Sequence, residues 1–234
     1  MIVSVAETAS TNDDVAALAR EGAEEGLWLR ADRQSGGRGR QGRAWHSPPG
    51  NLYASTLVRL RPGDPPAPTL ALVAAVALHE VACAYAPEAP ILIKWPNDLM
   101  AGGAKLSGIL LERIEDAVVI GLGVNLAEHP QATERPATSL RALTGQAPEP
   151  EVFIEALAAA LGRWIERWRR EGLAAIRAAW LAAAHPLGTP LSTHSGSGAR
   201  LEGLFEGLDE GGALRLRLAD GSLHVVHAGD VFLV

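Results

Sequence analysis

Residues 30–43 read RADRQSGGRGRQGR, a run with five arginines and four glycines. Only Asp32 opposes these charges, although the whole chain is acidic, with 21 basic and 27 acidic side chains. Glycine lets a backbone approach a ligand closely, and arginine offers a planar fork of donors that suits phosphate and carboxylate. Because strand-like segments precede and follow the run, we predict a flexible lid that closes over a small anion.

Other anion-binding motifs fit this run less well. It lacks the Gly-Lys-Ser/Thr of a phosphate-binding P-loop and the helix-opening G-x-G-x-x-G of a dinucleotide fold. Arginine–glycine segments also bind nucleic acids, and this alternative stays open. A net charge of −6 opposes it, because the surface outside the loop would repel a polyanion.

The composition is typical of a globular protein. Of 234 residues, 47% are apolar and 21% charged, enough for a large domain or a large and a small one. The longest purely apolar helical stretch, Leu70 to Leu78, is far shorter than the roughly 20 residues that span a bilayer. No basic-then-apolar leader precedes the first motif, so we expect a cytoplasmic protein without a membrane partner. The single Cys83 excludes an internal disulfide and fits a core position better than a catalytic thiol.

The hydrophobic periodicity predicts two parts. Strand and helix patterns mix in the first part, which includes a mostly apolar helix over Thr69 to Tyr85. From Glu151, apolar and aromatic residues recur at helical spacing until His185-Pro186-Leu187-Gly188 breaks the pattern. Short alternating strands with glycine turns follow, as in a small β-barrel. We therefore predict an α+β fold with domains at residues 1–186 and 187–234.

A second motif, Lys94-Trp95-Pro96-Asn97-Asp98, ends a predicted strand. Proline fixes the backbone there, so that Asn97 and Asp98 extend from a rigid turn. A structural turn with an Asx hydrogen bond is the alternative interpretation of the same residues.

Two lysines and several strand glycines also stand out. Lys94 and Lys105 are the only lysines in the chain, which indicates positions where a compact ammonium serves better than a guanidinium. Gly108 and the glycines of 121–125 (GLGVN) interrupt apolar strands. Such glycines predict the close approach of a ligand or of a neighbouring backbone.

In their order along the chain, these segments resemble the biotin protein ligases. The resemblance rests on residues 10–12 (STN), 37–43 (GRGRQGR) with Trp45, 94–98 (KWPND), 105–110 (KLSGIL) and 121–125 (GLGVN). It implies a mixed sheet flanked by helices, similar to class II aminoacyl-tRNA synthetases, and a small C-terminal SH3-like β-barrel. The related lipoate ligases share this architecture but usually lack the arginine–glycine loop, so biotin is the expected substrate and lipoate the alternative.

The resemblance implies a reaction in two steps. Such ligases join biotin to ATP, giving biotinyl-5′-adenylate and pyrophosphate. A lysine amine of a biotin carboxyl carrier protein domain then attacks the mixed anhydride and releases AMP. Mg²⁺ is expected with ATP, held mostly by phosphates and water, and no protein ligand is assigned to it. Because no enzyme nucleophile is needed, catalysis would rest on positioning and charge neutralisation.

The resemblance also implies roles for individual residues. As catalytic residues we expect Lys105 on the biotin carboxylate and α-phosphate, Arg38 in the lid, and Asp98 receiving the incoming lysine ammonium. Contacts to biotin or the adenylate are expected from Ser10, Thr11, Asn12, Gln34, Gly37, Arg38, Gly39, Arg40, Lys105 and Gly108. Contacts to the nucleotide are expected from Arg43, Trp45, Asn97 and Asn125. A plain core role remains the alternative for Trp45.

The expected partners follow from the same resemblance. They are biotin, ATP and the carrier subunit of acetyl-CoA carboxylase. The first motif begins by residue 8, so we expect a ligase without the helix-turn-helix domain of some relatives and without DNA binding. Family members can pair through sheet edges, so a homodimer is an open expectation.

Overall fold

The computed structural model describes residues 1–131, 135–194 and 200–234. Its larger sheet has seven strands in the order β1-β2-β3-β7-β6-β5-β4. They are β1 (Ile2–Thr8), β2 (Trp28–Gln34), β3 (Leu52–Arg59), β4 (Ile91–Lys94), β5 (Asp98–Ala101), β6 (Ala104–Ile114) and β7 (Ala117–Val124). Strands β1 and β2 are parallel and the other neighbours antiparallel, so the sheet is mixed.

Helices cover both faces of this sheet. They are α1 (Thr11–Arg20), α2 (Leu70–Tyr85), α3 (Leu140–Thr144), α4 (Pro150–Glu171) and α5 (Leu173–Ala183). Along β7, Ala117 and Val119 pack with α1, whereas Val118 and Ile120 belong to the core on the opposite face. Because successive side chains of a strand point to opposite faces, this double burial explains why β7 reads as a continuous apolar run.

Helix α2 lies in the centre of the larger core. With the turn before it, it covers Ala67–Tyr85, 19 residues with a mean hydropathy of 1.7, of which 61% is buried. By length and composition alone it is long enough to cross a membrane, so the sequence argument that this segment is too short was wrong. Its Val73 and Leu78 are fully buried, and the helix packs on α4, α5 and the sheet.

The C-terminal part is an antiparallel sheet of five strands. They are β8 (Pro190–His194), β9 (Arg200–Leu208), β10 (Leu214–Arg217), β11 (Leu223–Val226) and β12 (Val231–Leu233), in the order β11-β10-β9-β8-β12. Its Phe205 packs edge-on against Trp180 of α5, with ring centroids 6.4 Å apart. The predicted α+β class is thereby confirmed. The closure into an SH3-like barrel and the domain boundary at residue 186 stay predictions.

Three short elements were not predicted from the sequence, namely β5, α3 and β8. Strand β5 has only four residues between the turn at Trp95–Asn97 and Gly102-Gly103, too few for a periodic signal. Strand β8 begins at Pro190, a residue that disfavours strands. The sequence pattern also predicts a strand over Ala199 to Leu204. The observed strand runs from Arg200 to Leu208, and Ala199 itself lies outside the described residues.

We predict that Trp168→Ala lowers the free energy of unfolding by about 3–5 kcal/mol, as large-to-small changes in a core do. Trp168 is fully buried on α4, and its Nε1 donates to Thr69 Oγ1 at 2.9 Å. The measurement is urea denaturation followed by circular dichroism. Trp164→Ala, at a half-buried position of the same helix, is the control, and equal losses in the two variants would contradict the assignment of the core.

Candidate active site

A cavity of about 430 Å³ opens at one end of the seven-stranded sheet, beneath the arginine–glycine lid. Fourteen of the fifteen site residues expected from the sequence line it: Ser10, Thr11, Asn12, Gln34, Arg38, Gly39, Arg40, Arg43, Trp45, Asn97, Asp98, Lys105, Gly108 and Asn125. The exception is Gly37, a buried residue of the lid itself. A Cβ there would lie 2.9 Å from Gln34 Nε2 and from Ser47 Oγ, so this glycine lets the lid fold tightly.

One end of the cavity is a network of neutral polar groups at the start of α1. Ser10 caps the helix by accepting from the backbone N–H of Asp13. The Thr11 N–H donates to Gln34 Oε1 at 2.8 Å, and the Thr11 hydroxyl lies 2.8 Å from Ser55 Oγ. All these groups are buried or half-buried. They combine donors and acceptors without net charge, which suits the polar ring of a neutral ligand.

A glycine makes room for this network. Ser55 Oγ donates to Asn12 Oδ1 at 2.6 Å, and Asn12 Nδ2 donates to Glu112 Oε2 at 2.6 Å. A Cβ on Gly121 of β7 would lie 2.1 Å from Asn12 Oδ1. The sequence predicted a close approach at the glycines of 121–125, and here the approaching group is the Asn12 side chain.

Trp45 lies over two further strand glycines, Gly108 and Gly123. Gly108 of β6 and Gly123 of β7 are direct partners across the sheet. A Cβ on Gly123 would be 2.5 Å from Trp45 Cε2, and one on Gly108 would be 3.0 Å from Trp45 Cζ3. The Trp45 Nε1 is buried and has no hydrogen-bond partner among the described residues. Trp45 therefore both packs on the sheet and walls the cavity.

The charged end of the cavity is built on one carboxylate. Asp98 Oδ1 accepts from Lys105 Nζ at 2.6 Å, and Asp98 Oδ2 lies 3.6 Å from Lys94 Nζ. Burial lowers the pKa of the Lys94 ammonium, and the charges of Lys105 and Arg135 lower this pKa further, whereas Asp98 raises it. Two ammonium groups on one carboxylate leave a net positive charge, which suits an anionic ligand.

The role expected for Asp98 is to receive the incoming lysine ammonium, and in the structure two lysines of the chain itself already face it. Both of its oxygens face lysines, and the residue is only 7% exposed. The two lysines and the burial together leave little of Asp98 open to a further ammonium group.

The two asparagines of the site serve partly as structural groups. Asn97 Nδ2 donates to the Ile109 carbonyl at 2.6 Å, and its Oδ1 accepts from Arg40 at 3.3 Å. Asn125 Nδ2 donates to the Thr138 carbonyl at 3.0 Å. Their side-chain donors are thus engaged with the backbone around the cavity. The bond from Asn97 spans 12 residues, so it is not the local Asx hydrogen bond of the alternative interpretation.

The lid is closed and is fastened on two sides. On one side, Arg38 forms a bidentate pair with Asp13, at 2.7 and 2.6 Å, and lies 3.7 Å from Glu112. This pairing lowers the pKa of Asp13 and raises that of Arg38. On the other side, Arg40 and Arg43 contact the loop before β12.

Sequence reasoning missed several groups of the cavity. Lys94 had a signal, as one of only two lysines, but received no role. Ser55 and Glu112 were not singled out, although they hold Asn12 in place. Arg135 and Asp230 line the cavity from distant segments, and nothing local in the sequence indicates this.

The described residues contain no cluster of three or more His, Cys, Asp or Glu side chains that could hold a metal ion. Within the cavity, the carboxylates of Asp98 and Asp230 both face cationic side chains. The donor set therefore offers no protein cage for a divalent cation.

Comparisons with known proteins agree with this geometry. Residues 6–125 match the biotin/lipoate A/B protein ligase family, and residues 196–234 match the biotin protein ligase C terminal domain. The chain is similar to the biotin--[acetyl-CoA-carboxylase] ligase of Paracoccus denitrificans, with 41% identity over 97% of this chain and 98% of the relative. It is 36% identical to the ligase of the same name from Mycobacterium tuberculosis, over 97% of this chain and 86% of that one.

The fold has close counterparts among solved structures. The biotin protein ligase from Aquifex aeolicus in complex with biotin and ATP superposes with a TM-score of 0.88 at 24% identity, covering 100% of this chain and 99% of that chain. The biotin protein ligase from Leishmania major in complex with biotinyl-5-AMP gives a TM-score of 0.68 at 25% identity, over 97% and 98% of the two chains. On the matches of sequence and family, the chain belongs to the biotin protein ligases, which are enzymes of the ligase class.

Proposed function

We propose that this enzyme activates biotin with ATP as biotinyl-5′-adenylate and transfers the biotinyl group to a lysine of a biotin carboxyl carrier protein domain, that of acetyl-CoA carboxylase. One observation carries the proposal. A single cavity joins a neutral polar network, a net positive ammonium pair and an arginine lid, in a chain 41% identical to a biotin--[acetyl-CoA-carboxylase] ligase.

The neutral network binds the ureido ring of biotin. That ring carries two N–H donors and one carbonyl acceptor, and the side chains of Ser10, Thr11, Asn12 and Gln34 offer both kinds of partner. Hydrogen bonds from Thr11 to Gln34 and from Ser55 to Asn12 hold these side chains in place, so little ordering is needed on binding. The valeryl chain then extends towards Lys105.

The first step brings two anions together. A carboxylate oxygen of biotin attacks the α-phosphorus of ATP, a P–O bond forms, and the bond to the departing pyrophosphate breaks. Lys105 lies against both reacting groups, after its ammonium has moved from Asp98, and offsets their repulsion. Arg38, Gly39 and Arg40 of the lid cover the adenylate and exclude water. Arg43, Trp45, Asn97 and Asn125 border the nucleotide.

The second step uses the carboxylate that Lys105 has left. Asp98 accepts a proton from the carrier lysine as the amine attacks the anhydride carbonyl, and AMP departs with its phosphate oxygens near Lys105. Lys94 keeps the other oxygen of Asp98 paired. The carboxylate is therefore not left as an uncompensated buried charge.

Mg²⁺ enters with ATP, as part of the substrate. Because the cavity carboxylates are paired with cations, phosphate oxygens and water supply its ligands.

We assign the reaction to the cytoplasm, where ATP is available. We also propose that the enzyme forms a homodimer through β1, because this is an edge strand with exposed residues. Sedimentation analysis of the purified protein tests the dimer.

Biotin-dependent exchange of pyrophosphate into ATP tests the first step without any carrier. A mass increase on a biotin carrier domain, after incubation with biotin and MgATP, tests the second. Exchange with lipoate and none with biotin would move the enzyme to lipoate chemistry. A salt-sensitive complex with RNA or DNA that is lost in Arg38→Ala would instead support the nucleic-acid alternative.

For Lys105→Ala we expect the rate of pyrophosphate exchange to fall about 100-fold or more, because the ammonium that offsets the charge of the reacting groups is gone. Circular dichroism should be unchanged. Arg20→Ala, which removes an exposed cation outside the cavity, is the control. Exchange within threefold of wild type would remove Lys105 from the mechanism.

Gly121→Ala should weaken biotin binding about tenfold, the scale of one or two lost hydrogen bonds. The added methyl would overlap Asn12 Oδ1, so Asn12 must move. Calorimetry measures biotin and ATP separately, and the affinity for ATP should change little. The matched control is Gly162→Ala on α4, where a Cβ meets nothing within 4 Å. Unchanged biotin affinity in Gly121→Ala would place the ring elsewhere.

Arg38→Ala should release adenylate into solution, since the lid loses its bidentate pair with Asp13. Free adenylate acylates amines without selectivity, so biotin should appear severalfold more on a bystander protein that lacks a carrier domain. Mass spectrometry of the bystander measures this. Labelling equal to that of wild type would mean that Arg38 does not hold the lid closed.

A further inference from the structure

Asp230, in the loop before β12, reaches across to the lid. Its carboxylate lies 2.9 Å from Arg43 Nη2, 3.5 Å from Arg40 Nη1 and 4.0 Å from Arg135 Nη2. The Asp230 side chain is 18% exposed, and the residue lines the same cavity as Lys105. One carboxylate of the C-terminal sheet therefore faces three guanidinium groups at the mouth of the active site.

Further hydrogen bonds attach the lid to the loop before β12, so the ion pairs of Asp230 are part of a larger contact and not an isolated pair at the surface. Arg40 Nη2 also donates to the Gly229 carbonyl at 3.1 Å, and Arg43 Nε donates back to the Arg40 carbonyl at 3.2 Å. The backbone carbonyl of Asp230 accepts from Thr193 Oγ1 at 2.9 Å, which ties the loop to β8. The contact thus runs from the lid into the body of the C-terminal sheet.

We propose that Asp230 is a positioning residue that fastens the lid through Arg40 and Arg43, so that the C-terminal sheet sets how long the enzyme retains biotinyl-adenylate. The inference rests on the proposed function. Together with the pair between Arg38 and Asp13 of α1, it gives the lid an ion pair on each side.

The charges dictate when this fastening acts. A bound triphosphate carries more negative charge than one carboxylate and competes with Asp230 for the same guanidinium donors. Once pyrophosphate has left, the adenylate retains a single phosphate, and Asp230 again pairs with Arg43. The fastening is therefore strongest in the interval when the anhydride needs protection from water.

Loss of the Asp230 carboxylate is expected to lower or leave unchanged the KM for ATP and to raise the amount of released adenylate. Simple damage to the fold would not produce this combination. In Asp230→Asn the side chain has no charge and competes less with ATP for the guanidinium groups of Arg40 and Arg43. The KM for ATP should therefore stay equal or fall. The lid opens more often, so free adenylate should rise about fivefold per turnover, the scale of one partly exposed ion pair. If Asp230 had only a structural role, the variant would instead show a higher KM for ATP, a higher KM for biotin and a lower melting temperature.

The test compares Asp230→Asn with wild type in the full chain. Steady-state exchange gives the KM for ATP, and biotin transferred to a bystander protein gives the released adenylate. Asp230→Glu keeps the charge and should restore much of the retention. Glu202→Gln is the matched control, because it removes an exposed pair with Arg200 on the same sheet, outside the cavity lining.

A double-mutant cycle decides whether Asp230 acts through the lid. Arg43→Gln together with Asp230→Asn should release no more adenylate than the greater of the two single variants. Additive release, release equal to that of wild type, or an equal rise in Glu202→Gln would overturn the proposal. A wild-type enzyme that forms no adenylate at all would instead refute the proposed function, so the two failures are distinguishable.

Discussion

The rest of the active site depends on how one buried carboxylate is shared. Asp98 holds the ammonium groups of Lys105 and Lys94 at 2.6 and 3.6 Å, and its negative charge offsets the repulsion between them. The shared carboxylate fixes the position of the Lys105 ammonium at the charged end of the cavity. It also leaves one excess positive charge for an anionic ligand in a chain whose net charge is −6.

The glycines of β6 and β7 set the shape of the cavity around this charge. Every second residue of a β-strand normally places its side chain on the same face of the sheet. Gly108, Gly121 and Gly123 have no side chains, so they leave gaps on the face that lines the cavity. Trp45 fills the gap over Gly108 and Gly123, and Asn12 fills the one over Gly121. The strands therefore receive the walls of the site from the lid and from α1. A change at one glycine would displace a functional side chain from another element.

The arginines of the lid illustrate how the two sheets act on one site. Arg38 is paired with Asp13 of α1, whereas Arg40 and Arg43 are paired with the loop before β12 of the C-terminal sheet. Guanidinium groups so close together repel one another unless anions lie between them. Asp13 and Asp230 supply these anions in the closed lid.

The sequence by itself determined the α+β class, the short motifs at Lys94–Asp98 and Lys105–Leu110, and fourteen of the residues that line the cavity. These features are local, since periodicity, glycine content and charge act over a few neighbouring positions. Tertiary structure alone decided that Asp98 is paired with both lysines, that Trp45 covers the strand glycines, and that Asp230 meets Arg40 from 190 residues away. Such contacts depend on how the elements pack, and a long-range ion pair leaves no periodic pattern in a single sequence. The burial of α2 belongs to the same class, because only the surrounding helices and sheet distinguish a core helix from a span of equal length and hydropathy.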